Sequence, residues 1–499
     1  MPQSIPLPRI TLDTSLKSPL FVQVHDALRD SILSGAIRAG MRLPPSRVLA
    51  SALGVSRQTI VTAYEQLTLD GYLVAHVGRG SFVSSALPIA ADRSEARPVT
   101  GSGAPALHRQ PSRRGLRYAP PERPTVPTDT GTHAFRTGLP ALEIFPYATW
   151  ARLEGRHWRR RPDMIDDPAG FAPLRQALAE RLRATRGMTC DPEQILVTTG
   201  TQQGLHLIAT LLLDAGDAVW MENPGYRWAK AILSAAGAEL CPVPVDRDGL
   251  RVADGIDRFP HAKLAYVTPS HQFPLGATMS LQRRLELLAW ARRDGAWIVE
   301  DDYDSEYRYD SPVLASLQSM DRSGCVLFLG TFSKVLFPGL QLGYIVVPPA
   351  LVDLFKRGKA LIDRRTASMP QRVLADFIAE GHFQRHIKRT RALYDERRQV
   401  LLDAVRTRLG GGLEPGPFNA GMQIALAFQG KVDDVEFARL AAERNLSVLP
   451  LSVCYAPRTA RGYPPASGLL LGFACVPPHE IRQGVEVLQQ MLETGAASA

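Results

Sequence analysis

Cysteine is scarce in this chain and carries no pattern: Cys190, Cys241, Cys325, Cys454 and Cys475 are five among 499 residues, odd in number and far apart. That excludes a disulfide framework and a cysteine-based zinc site, and it predicts a reduced, cytoplasmic protein without a metal. Long apolar runs are missing too. The strongest, Leu205 to Leu213, is interrupted by His206 and is far too short to cross a bilayer, so no membrane partner is expected. The start, Met1-Pro2-Gln3-Ser4-Ile5-Pro6, lacks the basic opening and apolar core of an export signal. Internal repeats and long blocks of charge are also absent.

What is present is a globular composition, 45% hydrophobic, on a chain long enough for two or three domains. The formal charge of +9 fits an acidic partner such as nucleic acid.

Phe21, Val24, Leu28, Ile32 and Leu33 recur at helical spacing before Gly35, which predicts a helix over 19–34. A second helix is expected from Arg47 to Leu53 with Ser46 as its cap. After the turn Gly54-Val55-Ser56 comes a third, from Arg57 to Asp70, which is the grammar of a helix-turn-helix. Ile60, Ala63, Tyr64 and Leu67 point inward, which leaves Arg57, Gln58 and Thr59 to read base edges. Residues 71–83 then alternate around a glycine-flanked turn, a β-hairpin with Arg79 at its tip, in reach of a minor groove or of phosphates. This gives a DNA-binding module over 15–84. From 85 to 132 the chain turns rich in proline, alanine, serine and arginine, as in Pro111-Ser112-Arg113-Arg114-Gly115, and reads as a mobile tether.

Strand-like runs at 195–199, 218–221, 264–268, 297–300, 326–329 and 343–347 mostly alternate with helical stretches, the pattern of an α/β domain around a mainly parallel sheet. A large domain of about 133–369 and a smaller α+β domain of about 370–499 follow. Four stretches carry chemistry. Gly330-Thr331-Phe332-Ser333-Lys334 places a lysine just after two hydroxyl residues at a strand end, where desolvation makes an amine nucleophilic toward an aldehyde. Trp297 to Asp304 runs from an apolar strand into carboxylates with Tyr303 among them. Ile195 to Ile208 passes through Gly200 into a helix whose first amides are open to an anion. Glu222-Asn223-Pro224-Gly225-Tyr226 is a turn able to aim an aromatic face at a flat ring. Pyridoxal 5'-phosphate (PLP) needs a lysine, a carboxylate for its ring nitrogen, a donor near its phenolic oxygen and a phosphate cradle.

With these motifs, and with Thr268 to Gly276 and Arg385 to Arg389, residues from about 133 onward resemble a fold type I PLP enzyme of the aminotransferase kind. The first module resembles the winged helix of GntR regulators, and the whole chain resembles the MocR family. The resemblance implies Lys334 as Schiff-base lysine, Asp301 on the ring nitrogen, Tyr303 near the phenolic oxygen and Tyr226 stacked on the ring. It assigns the phosphate to Gly200, Thr201, Gln202, Thr331 and Ser333. On the DNA side it implies Arg47, Ser56, Arg57, Gln58, Thr59 and Arg79. A double-stranded operator, a homodimer, and PLP or a small amine or amino acid as effector are the partners it implies.

Three positions depart from the family pattern. Gln341 stands where an arginine grips the phosphate, Leu470 where an arginine binds a substrate α-carboxylate, and Ile165 where a tyrosine reaches a neighbouring subunit. A leucine offers a carboxylate no partner. The leading expectation is therefore a regulator that senses rather than catalyses. A working aminotransferase fused to a DNA-binding module, and a degenerate scaffold without cofactor, stay open at this level.

Overall fold

A computed structural model describes residues 10–13, 18–76, 79–85, 111–118, 134–159, 167–310, 315–456 and 466–495. The chain divides into two compact units, Met1–His108 and Arg109–Ala499.

In the first unit α1 (Leu20–Leu33), α2 (Ser46–Leu53) and α3 (Arg57–Leu69) precede the antiparallel hairpin of β1 (Leu73–His76) and β2 (Gly80–Val83). Val24, Leu28, Ile32, Leu49, Ile60, Ala63, Leu67 and Leu73 are buried together, so the helical periods seen in the sequence do build one core. Ser46 corrects one expectation. It is the first residue of α2, with Pro45 at the cap, because proline's fixed φ suits that entry. Ser56 is the N-cap of α3 and accepts from the Thr59 amide at 3.1 Å. The Leu43 amide bonds the Ser81 carbonyl and the Val83 amide bonds the Met41 carbonyl, which tie the hairpin to the chain before α2.

The second unit is built on an eight-stranded sheet in the order β3-β10-β9-β8-β7-β4-β5-β6. Its strands are β3 (Ile195–Thr198), β4 (Ala218–Asn223), β5 (Glu239–Asp246), β6 (Gly249–Leu250), β7 (Leu264–Val267), β8 (Trp297–Asp302), β9 (Val326–Thr331) and β10 (Gly343–Val346). From β5 to β9 the long strands run parallel, with their Val, Leu and Ile buried on both faces. β10 is antiparallel to both its neighbours. The chain enters it through residues 332–342 without a crossover helix, and that short return is what permits the reversal. β5 escaped the sequence reading because Pro242 and Pro244 argue against a strand; it lies next to the sheet edge, where proline is tolerated.

The smaller domain has a four-stranded antiparallel sheet, β11 (Leu413–Pro415), β12 (Gln423–Phe428), β13 (Leu449–Pro450) and β14 (Gly468–Gly472), ordered β11-β12-β14-β13, with the long helix His382–Arg408 and the helix Pro478–Glu493 packed together. Residues expected at the start of the large domain belong beside this sheet: Ala134 bridges Leu446 and Phe135 bridges Gly472. Part of the expected tether is also structured. Ser112 accepts from the Gly115 amide, and Arg113, Arg114 and Arg117 line a cavity of about 350 Å³ with Leu213, Asp214 and Ala236, at the C-terminal ends of the helices Thr201–Leu212 and Arg227–Ala236. The negative ends of the two helix dipoles favour a basic turn there.

Candidate cofactor site and DNA-facing surface

Lys334 follows β9 and Asp301 is the penultimate residue of β8, and these are adjacent parallel strands, so topology alone brings the two together. Lys334 Nζ donates to the Gly138 carbonyl at 2.9 Å. Burial pulls the amine below its ordinary pKa, while the carboxylates of Asp304 and Asp301 act the other way. A lysine held like this is a stronger nucleophile at neutral pH than a solvated one.

Alternation along β8 sorts the acidic run. Glu300 accepts from the amides of Leu317 and Gln318, and Asp302 pairs with buried Arg186 at 2.8 Å. Asp301, between them, accepts from the Tyr266 hydroxyl through Oδ2 at 2.5 Å. Its other oxygen, Oδ1, is buried without a hydrogen-bond partner. Burial pushes the Asp301 carboxyl up to about 7, helped by Asp302 and opposed by Tyr266 and Lys334. An orphaned buried carboxylate oxygen is what a protonated ring nitrogen satisfies, so the residues present fit PLP.

Tyr303, expected as a donor to the phenolic oxygen, places its hydroxyl 3.0 Å from His271 Nδ1. Tyr226 caps the helix Arg227–Ala236, accepts from Gln202 Nε2 at 3.4 Å, and meets Phe273 edge-on at 5.5 Å between centroids. Gly200 is the N-cap of the helix Thr201–Leu212, whose first residues are Thr201 and Gln202. The Thr331 hydroxyl accepts from the Ser333 amide at 3.2 Å.

Four supporting residues escaped the sequence reading. Gly138, in a Gly-Leu-Pro turn far upstream, holds Lys334. Tyr266 lies inside the fully buried strand β7, among apolar neighbours. Gln203 braces the anion turn: it accepts from the Thr199 amide and donates to Asp363, which pairs with fully buried Lys359 at 2.8 Å. Glu222 has a carboxyl raised to about 7 by burial and bonded by Thr268 and Gln272, whose side chain also donates to the Pro224 carbonyl and so fixes the turn before Tyr226. Only Glu222 had a cue, as an acid inside an apolar strand.

The departures take definite places. Gln341 is exposed, in a left-handed conformation at φ 48°. Leu470 is fully buried in β14, paired with Ala425 and Leu449. Leu469 and Leu471 enter the core shared by the small and large domains, and Leu470 alternates to the opposite face with Gly472, which abuts the Arg136 carbonyl, two residues before Gly138. Ile165 lies outside the described residues.

On the first unit Arg47, Arg57, Gln58 and Arg79 are exposed. Thr59 is half-buried, and its hydroxyl lies 2.8 Å from that of Ser56, so these two serve the start of α3 before any base. Among the described residues no helix is long and apolar enough to cross a membrane, and no cluster of acids, histidines and cysteines suits a metal ion.

Comparison with known proteins extends over nearly the whole chain. Residues 163–488 match the family model described as aminotransferase class I and II, and residues 20–83 that of bacterial regulatory proteins, gntR family. The probable rhizopine catabolism regulatory protein MocR of Rhizobium meliloti is 41% identical over 96% of this chain and 95% of its own length. The pyridoxine biosynthesis regulator PdxR of Corynebacterium glutamicum is 31% identical over 89% of this chain and 90% of its own. Among solved structures, an archaeal alanine:glyoxylate aminotransferase superposes with a TM-score of 0.68 at 27% identity, covering 73% of this chain and 92% of that one. A kynurenine aminotransferase of Pyrococcus horikoshii gives 0.67 at 26%, covering 72% and 91%.

Proposed function

The chain belongs to the MocR family, in which a GntR-type DNA-binding head is joined to an aminotransferase-like, PLP-binding domain, and from that premise we propose that the second unit is an effector sensor and dimer scaffold that does not turn over amino acids. PLP supplies an aldehyde and an electron-withdrawing ring when bound. Lys334 holds the aldehyde end, and Asp301 Oδ1 keeps the ring nitrogen protonated. Tyr226 covers the ring face, and Tyr303 donates toward the phenolic oxygen. Amides of Gly200, Thr201 and Gln202, with Thr331 and Ser333, take the phosphate. Gln341 offers at best a neutral hydrogen bond, roughly half as strong as the arginine fork it replaces.

The observation that carries this reading is the unpartnered Asp301 Oδ1 beside a desolvated lysine. Adding PLP to purified protein should raise a visible absorption band, and Lys334→Ala should abolish it. No band at saturating PLP removes the cofactor-site assignment.

Leu470 argues against turnover of α-amino acids, because a buried leucine leaves an α-carboxylate with no partner on that face. The effector is then PLP itself or an amine without that group. A panel of amino acids should leave the PLP band unchanged; its loss would favour the aminotransferase reading. Two heads on one homodimer read paired half-sites. An effector coupling of about 1–3 kcal/mol changes operator affinity some five- to 150-fold. Footprints on the operator should fade with salt, and Arg57→Ala or Gln58→Ala should cost about 1–3 kcal/mol and relax base choice, whereas Arg47→Ala weakens all sequences alike.

A further inference from the structure

His271 and Asp304 are buried, 4% and 2% exposed, and belong to none of the roles assigned so far. His271 Nδ1 lies 3.0 Å from both carboxylate oxygens of Asp304 and 3.0 Å from the Tyr303 hydroxyl. One imidazole nitrogen thus joins a carboxylate to the hydroxyl that faces the ring. Asp304 is also the carboxylate with the largest pull on the Lys334 amine, ahead of Asp301. The pair therefore sits at the site rather than beside it.

The smaller domain closes on the same pair. A Cβ added at Gly421 would lie 2.0 Å from His271 Cε1 and 2.8 Å from Asp304 Oδ2, so the turn before β12 touches both. That turn is tied to the strand end carrying Tyr303: the Gly421 amide bonds the Tyr307 carbonyl at 2.7 Å, the Tyr309 hydroxyl donates to the Gly421 carbonyl at 2.7 Å, and the Tyr309 amide bonds the Asn419 carbonyl. Arg398 of the long helix reaches the Phe418 carbonyl and Asp310.

We propose that His271, held by Asp304 and wedged by the Gly421 turn, is a positioning residue that fixes the Tyr303 hydroxyl toward the ligand and links its orientation to the placement of the smaller domain. Without the imidazole the tyrosine hydroxyl is free to rotate or to bond Asp304 instead, and the site loses a fixed donor. The small-domain turn loses its stop at the same time. A ligand that changes what the hydroxyl bonds to therefore changes what the turn packs on, which gives the sensor a physical route from the ring to the second domain. The proposal rests on the PLP reading of the site, and its test separates the two.

The experiment is a thermodynamic cycle on the full chain, read by PLP affinity and by the position and shape of the visible band. His271→Ala should weaken PLP about three- to tenfold and alter the band. His271→Asn, whose amide nitrogen falls near the position of Nδ1, should recover most of both. Gly421→Ala, acting from the other domain, should reproduce the His271→Ala spectrum. In a Tyr303→Phe background neither substitution should have further effect, because the hydroxyl they position is gone. Equal effects of His271→Ala with and without Tyr303 would overturn the proposal, as would failure of asparagine to rescue in a variant that melts like the wild type. Absence of a band in the wild-type protein sinks the PLP reading itself, a different outcome from a band that ignores His271.

Discussion

Replacing Gly138 by alanine introduces a methyl group 2.3 Å from Lys334 Nζ, well inside the nonbonded contact distance of about 3.5 Å. The backbone at this residue has φ +72°, and a side chain in the left-handed region adds about 1–2 kcal/mol of strain. That part lowers stability without touching the ligand. The amine must also leave the Gly138 carbonyl, giving up the 2.9 Å hydrogen bond, which contributes about 1–3 kcal/mol depending on its charge. Because the aldehyde has to meet the amine where it now stands, a misplacement worth about 1.4–3 kcal/mol weakens PLP roughly ten- to 150-fold. The control is Gly430→Ala, at φ +129° with nothing within 4 Å of the new methyl. It carries backbone strain alone. PLP titration by absorbance, with melting curves for each variant, separates the two effects. If Gly138→Ala binds PLP like the wild type, the Lys334 amine is not where the cofactor meets the protein.

Three further outcomes follow from the geometry. Glu222, Glu300 and Asp301 all titrate near 7, raised by burial, so the folded chain keeps protons that an unfolded chain gives up between about pH 4 and 7. Their contribution to stability is present at low pH and lost as pH rises through 7; Glu222→Gln should therefore flatten the decline in melting temperature between pH 5.5 and 7.5, and an unchanged slope contradicts the assignment. Tyr266→Phe leaves both oxygens of Asp301 without a protein partner, which drives its carboxyl higher still; the variant should lose more stability at pH 8 than at pH 6, as chemical denaturation at the two pH values will show. Ser56→Ala removes the cap of α3 and should cost about 1 kcal/mol, seen as faster hydrogen exchange of the first amides of that helix, with PLP binding unchanged.

Much of the site was legible because its residues sit at the ends of strands. An apolar run that stops in Gly-Thr-x-Ser-Lys or Glu-Asp-Asp-Tyr identifies itself, and parallel β8 and β9 then have to bring Asp301 and Lys334 together. The helix periods of the head were equally plain, since Ile60, Ala63, Tyr64 and Leu67 leave one face for the core and one for solvent. The residues that brace the site were not legible. Gly138 lies some two hundred positions from the amine it holds, Tyr266 looks like any strand aromatic, and the meeting of His271 with Asp304 depends on two different loops.

The sequence by itself determined which side chains this protein has to work with and the local elements that present them, because hydrophobic period, turn chemistry and strand-end composition are properties of neighbouring residues. Tertiary structure decided which of those side chains have partners. Asp301 has one oxygen bonded and one left over, Leu470 is buried on the face of its sheet opposite Leu469 and Leu471, and Gly421 of one domain packs against a histidine of the other. Burial and pairing arise from segments far apart in the chain, and only packing brings them into contact.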